Sequence, residues 1–229
     1  MKAMSCAVLL VSGAWAAGPA PQPAPPAAPT AALGPFFGSA QSQEGGSDAW
    51  FFVRPGRSLP PGSMVKTEAG SFCLILLSDG TKLRLGPRSY LRLVELSADR
   101  TEMSLASGRL EAWVKRRGKA EFKMQTPLFT AVLPEGSFAT ELLSANSAMF
   151  DVYKGDPEIS DTEGRTQKMS PEMHVEFDAK TGASTPIPLP SGAARLPEPS
   201  EAGPTGPESI KEAVPAPAKP AAQALDDQL

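Results

Sequence analysis

Few residues of this chain are suited to catalysis, and they do not form a familiar catalytic pattern. His174 is the single histidine, and it lies in the alternating stretch 173–177, which predicts a strand with the imidazole on the surface. The sequence contains no Gly-x-Ser-x-Gly elbow, no Gly-rich phosphate loop and no His-Glu-x-x-His pair. We therefore predict that the protein is not an enzyme, with no catalytic residues and no cofactor.

The cysteines and acidic residues give no stronger indication of a site. Cys73 lies in the apolar run 72–77, which predicts a buried thiol that acts as a small hydrophobic side chain. Structural zinc requires four Cys or His ligands, more than this chain offers after the N-terminal stretch. The carboxylates of 156–163 lack the spacing of a calcium loop, so we expect a solvated acidic turn and no metal.

The composition divides the 229 residues into one folding segment and two arms. Seven of the 25 prolines fall in 18–35 and ten in 186–229, where no aromatic residue occurs. Such tracts bury too little apolar surface to offset the entropy of the chain. We predict a Pro/Ala-rich linker over 18–47, an all-β domain over 48–182, and a disordered Pro/Ala/Glu-rich tail over 183–229.

The N-terminus resembles a secretory leader. Lys2 is followed by an uncharged apolar stretch, and Ala14 and Ala16 place small residues at the positions that signal peptidase recognises. The sequence therefore predicts a signal peptide over 1–17 and a periplasmic or secreted protein with no membrane span after cleavage. An uncleaved anchor is the alternative interpretation.

Between residues 50 and 180 the apolar period is two. Alternation recurs in 82–85, 90–94, 110–114 and 122–124, and turn dipeptides such as Asp79-Gly80 separate the runs. Short strands with frequent turns are typical of all-β folds. We predict a single domain of short antiparallel strands forming a sandwich or roll, with a short β-solenoid as a further possibility.

One segment offers a candidate partner surface. Trp113 alternates with the apolar residues of 110–114 and is therefore predicted to face outward, where it would meet a partner. Lys115, Arg116 and Arg117 follow, at a predicted hairpin tip. Such a basic tip either protects strand edges from pairing with other chains or docks an anionic partner.

The order of the segments resembles the FecR domain family. The resemblance spans about residues 62–159 and rests on six elements: a strand ending in a Ser-Asp-Gly-Thr turn (72–85), RSYLRL (88–93), LASGRLEAWV (105–114), FKMQTP (122–127), AVLPEGSF (131–138) and MFDVYKG (149–155). Within them we single out motif residues with mainly structural roles: Asp79, Gly80, Ser89, Gly108, Thr126, Pro127, Gly136, Phe138 and Gly155.

The resemblance implies a signalling function, although the architecture predicted for this chain differs from that of the signalling members. FecR signalling members join a cytoplasmic anti-sigma segment, one transmembrane helix and a periplasmic sensing domain. Only two residues precede the apolar stretch here, so we expect a stand-alone exported FecR domain. Its expected role is a non-enzymatic interaction or sensing module that binds an envelope protein, for example by strand addition at a sheet edge. A peptidoglycan-binding module and a structural envelope protein are the alternatives, and nucleic acid is not an expected partner.

Overall fold

The computed structural model describes residues 29–115, 118–190 and 198–199. None of these residues belongs to a helix with the length and hydrophobicity needed to cross a bilayer. The described residues form eighteen strands: β1 (Ala31–Phe37), β2 (Ala40–Gln43), β3 (Phe51–Phe52), β4 (Ser58–Leu59), β5 (Met64–Thr67), β6 (Phe72–Leu77), β7 (Lys82–Leu85), β8 (Tyr90–Leu96), β9 (Arg100–Val114), β10 (Glu121–Gln125), β11 (Phe129–Leu133), β12 (Gly136–Ser144), β13 (Ser147–Lys154), β14 (Glu158–Asp161), β15 (Thr166–Lys168), β16 (Met173–Asp178), β17 (Gly182–Ala183) and β18 (Ile187–Pro188).

Hydrogen bonds join these strands into one open sheet that folds over into two layers. Layer A runs in the order β4-β1-β6-β7-β9-β12-β13-β16, with β17 and β18 both pairing with β16. Layer B runs in the order β3-β2-β5-β8-β9-β10-β11-β14-β15. The all-β domain that the period-two pattern predicts is confirmed, and among the predicted forms it is the sandwich that the layers build.

The long strand β9 belongs to both layers. Its first half pairs with β8 and β10 in layer B, and its second half pairs with β7 and β12 in layer A. The change of layer occurs at Gly108, whose φ of 81° is in the left-handed region. Only glycine adopts this conformation without steric cost, so the turn of the chain between the layers depends on it.

The core lies between the layers and is built from alternate residues of each strand. Phe129 of layer B stacks on Phe177 of layer A at 4.2 Å and meets Phe150 edge-on at 5.5 Å. Phe138 and Phe150, both from layer A, stack at 5.0 Å. These four rings are almost completely buried. They supply much of the apolar area that stabilises the sandwich.

The predicted domain boundaries differ from the structure at both ends. Residues 31–43 lie in the predicted linker, yet they form β1 and β2, which pair with β6 and β5. Small side chains allow this pairing, because Gly34 packs against Leu74 and the register shift between Leu33 and Phe36 accommodates Pro35. At the other end, β18 continues the fold past residue 182. Residues 1–28, with the predicted leader, and most of the predicted tail lie outside the described residues.

Two further predictions need correction. The pairing of β10 with β9 is parallel, so the strands are not all antiparallel. The strands before and after the predicted basic tip, β9 and β10, also form no hairpin, because they pair in parallel; Arg116 and Arg117 between them lie outside the described residues.

The edge strands of both layers are short. Among the described residues β3, β4, β17 and β18 have two residues each and β15 has three. Pro35 of β1 lies near the edge of layer A, and proline has no backbone N–H to donate to a neighbouring strand. Short edges and proline are devices that discourage pairing with another chain.

Candidate functional site

The outer face of layer B carries an aromatic surface, defined here as Trp50, Phe52 and Tyr90 with the cation Lys66. Cross-strand register places Phe52 opposite Gln41, Gln41 opposite Lys66, and Lys66 opposite Tyr90. The adjacent positions Ala40 and Val65 lie in the core, so this row faces outward. Phe52 is 70% exposed, which is unusual for an aromatic side chain on a strand.

The rings of the aromatic surface are held by specific contacts. The Lys66 ammonium lies 4.3 Å from the centre of the Trp50 ring, within the range of a cation–π interaction. Trp50 and Tyr90 are 5.9 Å apart with their planes at 58°. The Tyr90 hydroxyl donates to the Met64 sulfur at 2.7 Å. Trp50 and Tyr90 therefore form an ordered, angled pair beside the more exposed Phe52.

Phe51 extends this apolar region around the strand edge. Its ring is 47% exposed and lies 4.8 Å from the Arg57 guanidinium, which is paired with Glu44 at 2.8 Å. Neighbouring residues on a strand point to opposite faces, so a sandwich core could not bury all three aromatics of 50–52. That run of three is the signal in the sequence that would have indicated this surface, which our sequence reasoning missed.

The outer face of layer A is occupied by paired charges. Glu111 is buried and accepts from Arg109 at 3.0 Å, and it also pairs with Arg84. Arg109 reaches Glu141 at 3.1 Å. Burial alone lowers the pKa of Arg109, but the two carboxylates outweigh it and raise that pKa. This network ties β7, β9 and β12 together.

His174 lies on the outer face of layer A, as the sequence predicts, but its neighbours cover most of the imidazole there. Its Nδ1 lies 2.6 Å from the Asp151 carboxylate on the neighbouring strand, and its Nε2 lies 3.5 Å from Glu176. Its side chain is mostly buried. Nearby, burial and the charge of Asp151 raise the pKa of Tyr153. The imidazole thus links β13 and β16 between two carboxylates.

Cys73 lies in the core, as predicted. Its side chain is fully buried, and burial raises the pKa of its thiol from 9.0 to about 12. Because the thiolate is the reactive species, this cysteine has little nucleophilic character.

Acidic residues of the described part of the chain form no cluster suited to a metal ion. Within the predicted acidic turn, Asp161 is buried and accepts from Arg165 at 2.7 Å. Desolvation opposes ionisation of Asp161, but hydrogen bonds and the charge of Arg165 lower its pKa overall.

The motif residues of the first half shape turns. Asp79 accepts from the Thr81 amide at 2.8 Å, and Gly80 between them has a φ of 87°. Ser89 is buried and accepts from the Arg109 amide at 2.8 Å, directly after Gly108. These contacts fix the β6–β7 hairpin and the bend of β9.

The motif residues of the second half also shape turns or fill the core. Thr126 accepts from the Phe129 amide at 3.0 Å, which closes the turn that contains Pro127. A side chain at Gly136 would collide with the Lys154 carbonyl, and one at Gly155 with the Glu135 carbonyl. Phe138 is one of the buried rings of the core.

Trp113 and Lys115 lie at the end of β9 in layer A. Trp113 emerges on the outer face, since Ala112 and Val114 are in the core, yet only 6% of it is exposed. It is therefore not an open platform for a sugar ring. Lys115 is exposed, and Arg116 and Arg117 lie outside the described residues.

An open cleft of about 710 Å³ lies at the end of the sandwich where β9 bends. Its walls include Arg88, Gly108 and Leu143, and the Arg109–Glu141 pair closes one side. Small and apolar residues dominate the lining, and the charges of Arg109 and Glu141 satisfy each other. The aromatic surface is the better candidate.

Comparison with known families agrees with this architecture. Residues 63–156 match the family described as "FecR protein". The chain contains a FecR domain. The matched segment begins just before β5 and ends just after β13, so it covers the bend of β9 and most of the core.

The fold of the FecR domain also occurs in solved structures. Two crystal structures described as a "putative anti-sigma factor" from Parabacteroides distasonis ATCC 8503, at 2.50 Å and 1.65 Å resolution, superpose with a TM-score of 0.50 each. They are 18% and 17% identical to this chain and cover 55% of it, and the match spans 59% of each of those chains. At this identity the likeness concerns the fold. No curated protein matches this chain.

Proposed function

We propose that this FecR-domain protein is a non-enzymatic interaction or sensing module of the bacterial cell envelope, and that it binds an envelope protein through the aromatic surface. The exposed Phe52 beside the ordered Trp50–Tyr90 pair is the observation that carries the proposal. Interface hot spots are enriched in tryptophan and tyrosine. A leader-like N-terminus supports an envelope location.

A protein partner fits this surface better than peptidoglycan does. Sugar-binding platforms need two or more coplanar exposed rings, whereas Trp50 and Tyr90 are inclined at 58° and Lys66 covers one face of the tryptophan. Trp113, the other candidate for stacking, is almost fully buried. The crosslinking experiment below distinguishes a protein partner from peptidoglycan binding and from a purely structural role.

The geometry favours docking by side chains over strand addition. A peptide that adds to a sheet needs a long row of free backbone groups. The outermost described strands have two or three residues each, and Pro35 interrupts the part of β1 that extends past β4. Recognition then depends on the rings of the aromatic surface and on Lys66, which favours a partner with acidic and apolar side chains.

The state of the reactive residues supports a non-enzymatic role. Among the described residues, Cys73 is buried with a raised thiol pKa, and His174 is engaged by Asp151 and Glu176. The fold motifs each serve a turn or the core, as described above.

Site-specific photo-crosslinking in cells tests the proposal. A benzophenone amino acid at Phe52 of the full chain is expected to capture a defined envelope protein. The matched control position is Leu143, which is 57% exposed and belongs to layer A. The captured protein is then purified, and its affinity is measured for wild type, F52S and L143S.

Substitution F52S should weaken binding about thirtyfold, the size typical of an interface hot spot, and L143S should leave it unchanged. Adducts that disappear on muramidase digestion would instead identify a wall-binding module. Equal affinity of F52S and wild type would refute the aromatic surface as the docking site.

A further inference from the structure

The outer face of layer A holds a second surface, which the aromatic surface does not explain. It consists of Lys82, Trp113 and Lys115, and we refer to it as the Lys82–Lys115 site. Register places Lys82 of β7 directly opposite Trp113 of β9. The Lys115 amide donates to the Thr81 hydroxyl at 3.1 Å, which fixes Lys115 at the end of the strand. Two cations therefore flank one tryptophan.

A residue from the C-terminal segment lies at this site. One carboxylate oxygen of Glu198 is 3.1 Å from the Lys82 ammonium, and the other is 3.9 Å from that of Lys115. The hydrogen bond from Lys82, followed by the charge of Lys115, lowers the pKa of Glu198 although partial burial opposes this. Both lysines therefore pair with the ionised carboxylate of Glu198, which follows Lys115 by more than 80 residues in the sequence.

The sequence around Glu198 gives the chemical class of the occupant. Proline precedes it at 197 and follows it at 199. A residue before proline is restricted to extended conformations, and a Pro-x-Pro segment favours polyproline II geometry. Binding such a segment costs little conformational entropy, because its extended form is already favoured. The two lysines beside Trp113 suit a carboxylate held in such a segment.

We infer that Lys82, Trp113 and Lys115 form a docking site for extended acidic segments flanked by proline, and that Glu198–Pro199 of this chain is its intramolecular occupant. This inference does not depend on the aromatic surface, which lies on the opposite layer. A partner with the same Pro-Glu-Pro chemistry would compete with the chain's own segment.

Fluorine NMR of the full chain with 5-fluorotryptophan tests the site. The chain has three tryptophans, and W113F assigns the resonance of Trp113. Substitution E198Q is expected to shift that resonance and to leave the Trp50 resonance in place. The matched control E158Q removes an exposed carboxylate from β14 in layer B and should shift neither.

Peptide titration completes the test. A synthetic peptide of residues 195–202 added to the E198Q chain should return the Trp113 resonance toward its wild-type position. The same peptide with Gln in place of Glu198 should bind about five- to tenfold more weakly, as expected for the loss of two partly exposed ion pairs. An E198Q spectrum identical to wild type, or equal binding of the two peptides, would overturn the inference.

Discussion

Replacement of Gly108 by alanine should destabilise the protein more than the same change at a turn glycine with open surroundings. Gly108 has a φ of 81°, and a Cβ there would lie 2.5 Å from the Cα of Ser89. The left-handed conformation costs a residue with a side chain roughly 1–2 kcal/mol. The clash involves the Ser89 backbone as well as its side-chain hydroxyl, so the strand must move, and such overpacking costs about 1–3 kcal/mol more.

The expected loss for G108A is therefore about 3 kcal/mol of unfolding free energy, or about 6–12 °C in Tm for a domain of this size. Urea unfolding followed by tryptophan fluorescence measures it, and an unchanged m-value shows that the midpoint shift reports stability.

Gly46 provides the matched control. Its φ is 82°, but no atom lies within 4 Å of the Cβ that alanine would add. G46A should therefore cost only the conformational part, about 1–2 kcal/mol. A G108A variant as stable as G46A would refute the idea that β9 can change layers only through a residue without a side chain. Rescue of G108A by S89A would refute it too, because Ser89 would then obstruct through its hydroxyl and not through its backbone.

Three other predictions follow from the core and from the buried carboxylate. The Cys73 thiol, with its pKa raised to about 12, should resist Ellman's reagent at pH 8 in the native protein and react fully once urea unfolds the chain. F150A should lower the unfolding free energy by about 3–5 kcal/mol in urea titrations, since it empties the space between Phe129 and Phe138, whereas L143A should stay within about 0.5 kcal/mol of wild type. Asp161 has a lowered pKa in the folded state, so its ionised form stabilises the fold above the unfolded pKa of about 3.9 and this contribution disappears as the pH falls through the folded value. D161N should therefore be less stable than wild type at pH 7, and a gap that persists unchanged at pH 2 would contradict the assignment.

The strands that the sequence predicts well are those with one buried and one solvent-facing side. Leu83 and Leu85 alternate with Lys82 and Arg84, and all four positions fall in β7 with the predicted phase. The Asp79-Gly80 turn also behaves as predicted, since the turn chemistry of aspartate and glycine is local.

Features that depend on distant contacts could not be predicted in this way. The composition of 31–43 is typical of a linker, but β6 and β5 supply partners that a local pattern cannot show. The phase of Trp113 predicts the correct face but says nothing of its burial, which depends on the surroundings of that face. His174 meets Asp151 only because β13 and β16 are neighbours, although 23 residues separate the two in sequence.

The shared strand β9 makes the two layers a single cooperative unit. Each layer loses a central strand if β9 detaches, so we expect the two layers to unfold together in one transition. Folding must bring β9 against strands that both precede and follow it in sequence, which raises the contact order and slows folding. Cutting the chain near Gly108 would therefore yield two fragments that each expose half of the core. A break at this bend exposes far more apolar surface to aggregation than one in a peripheral turn.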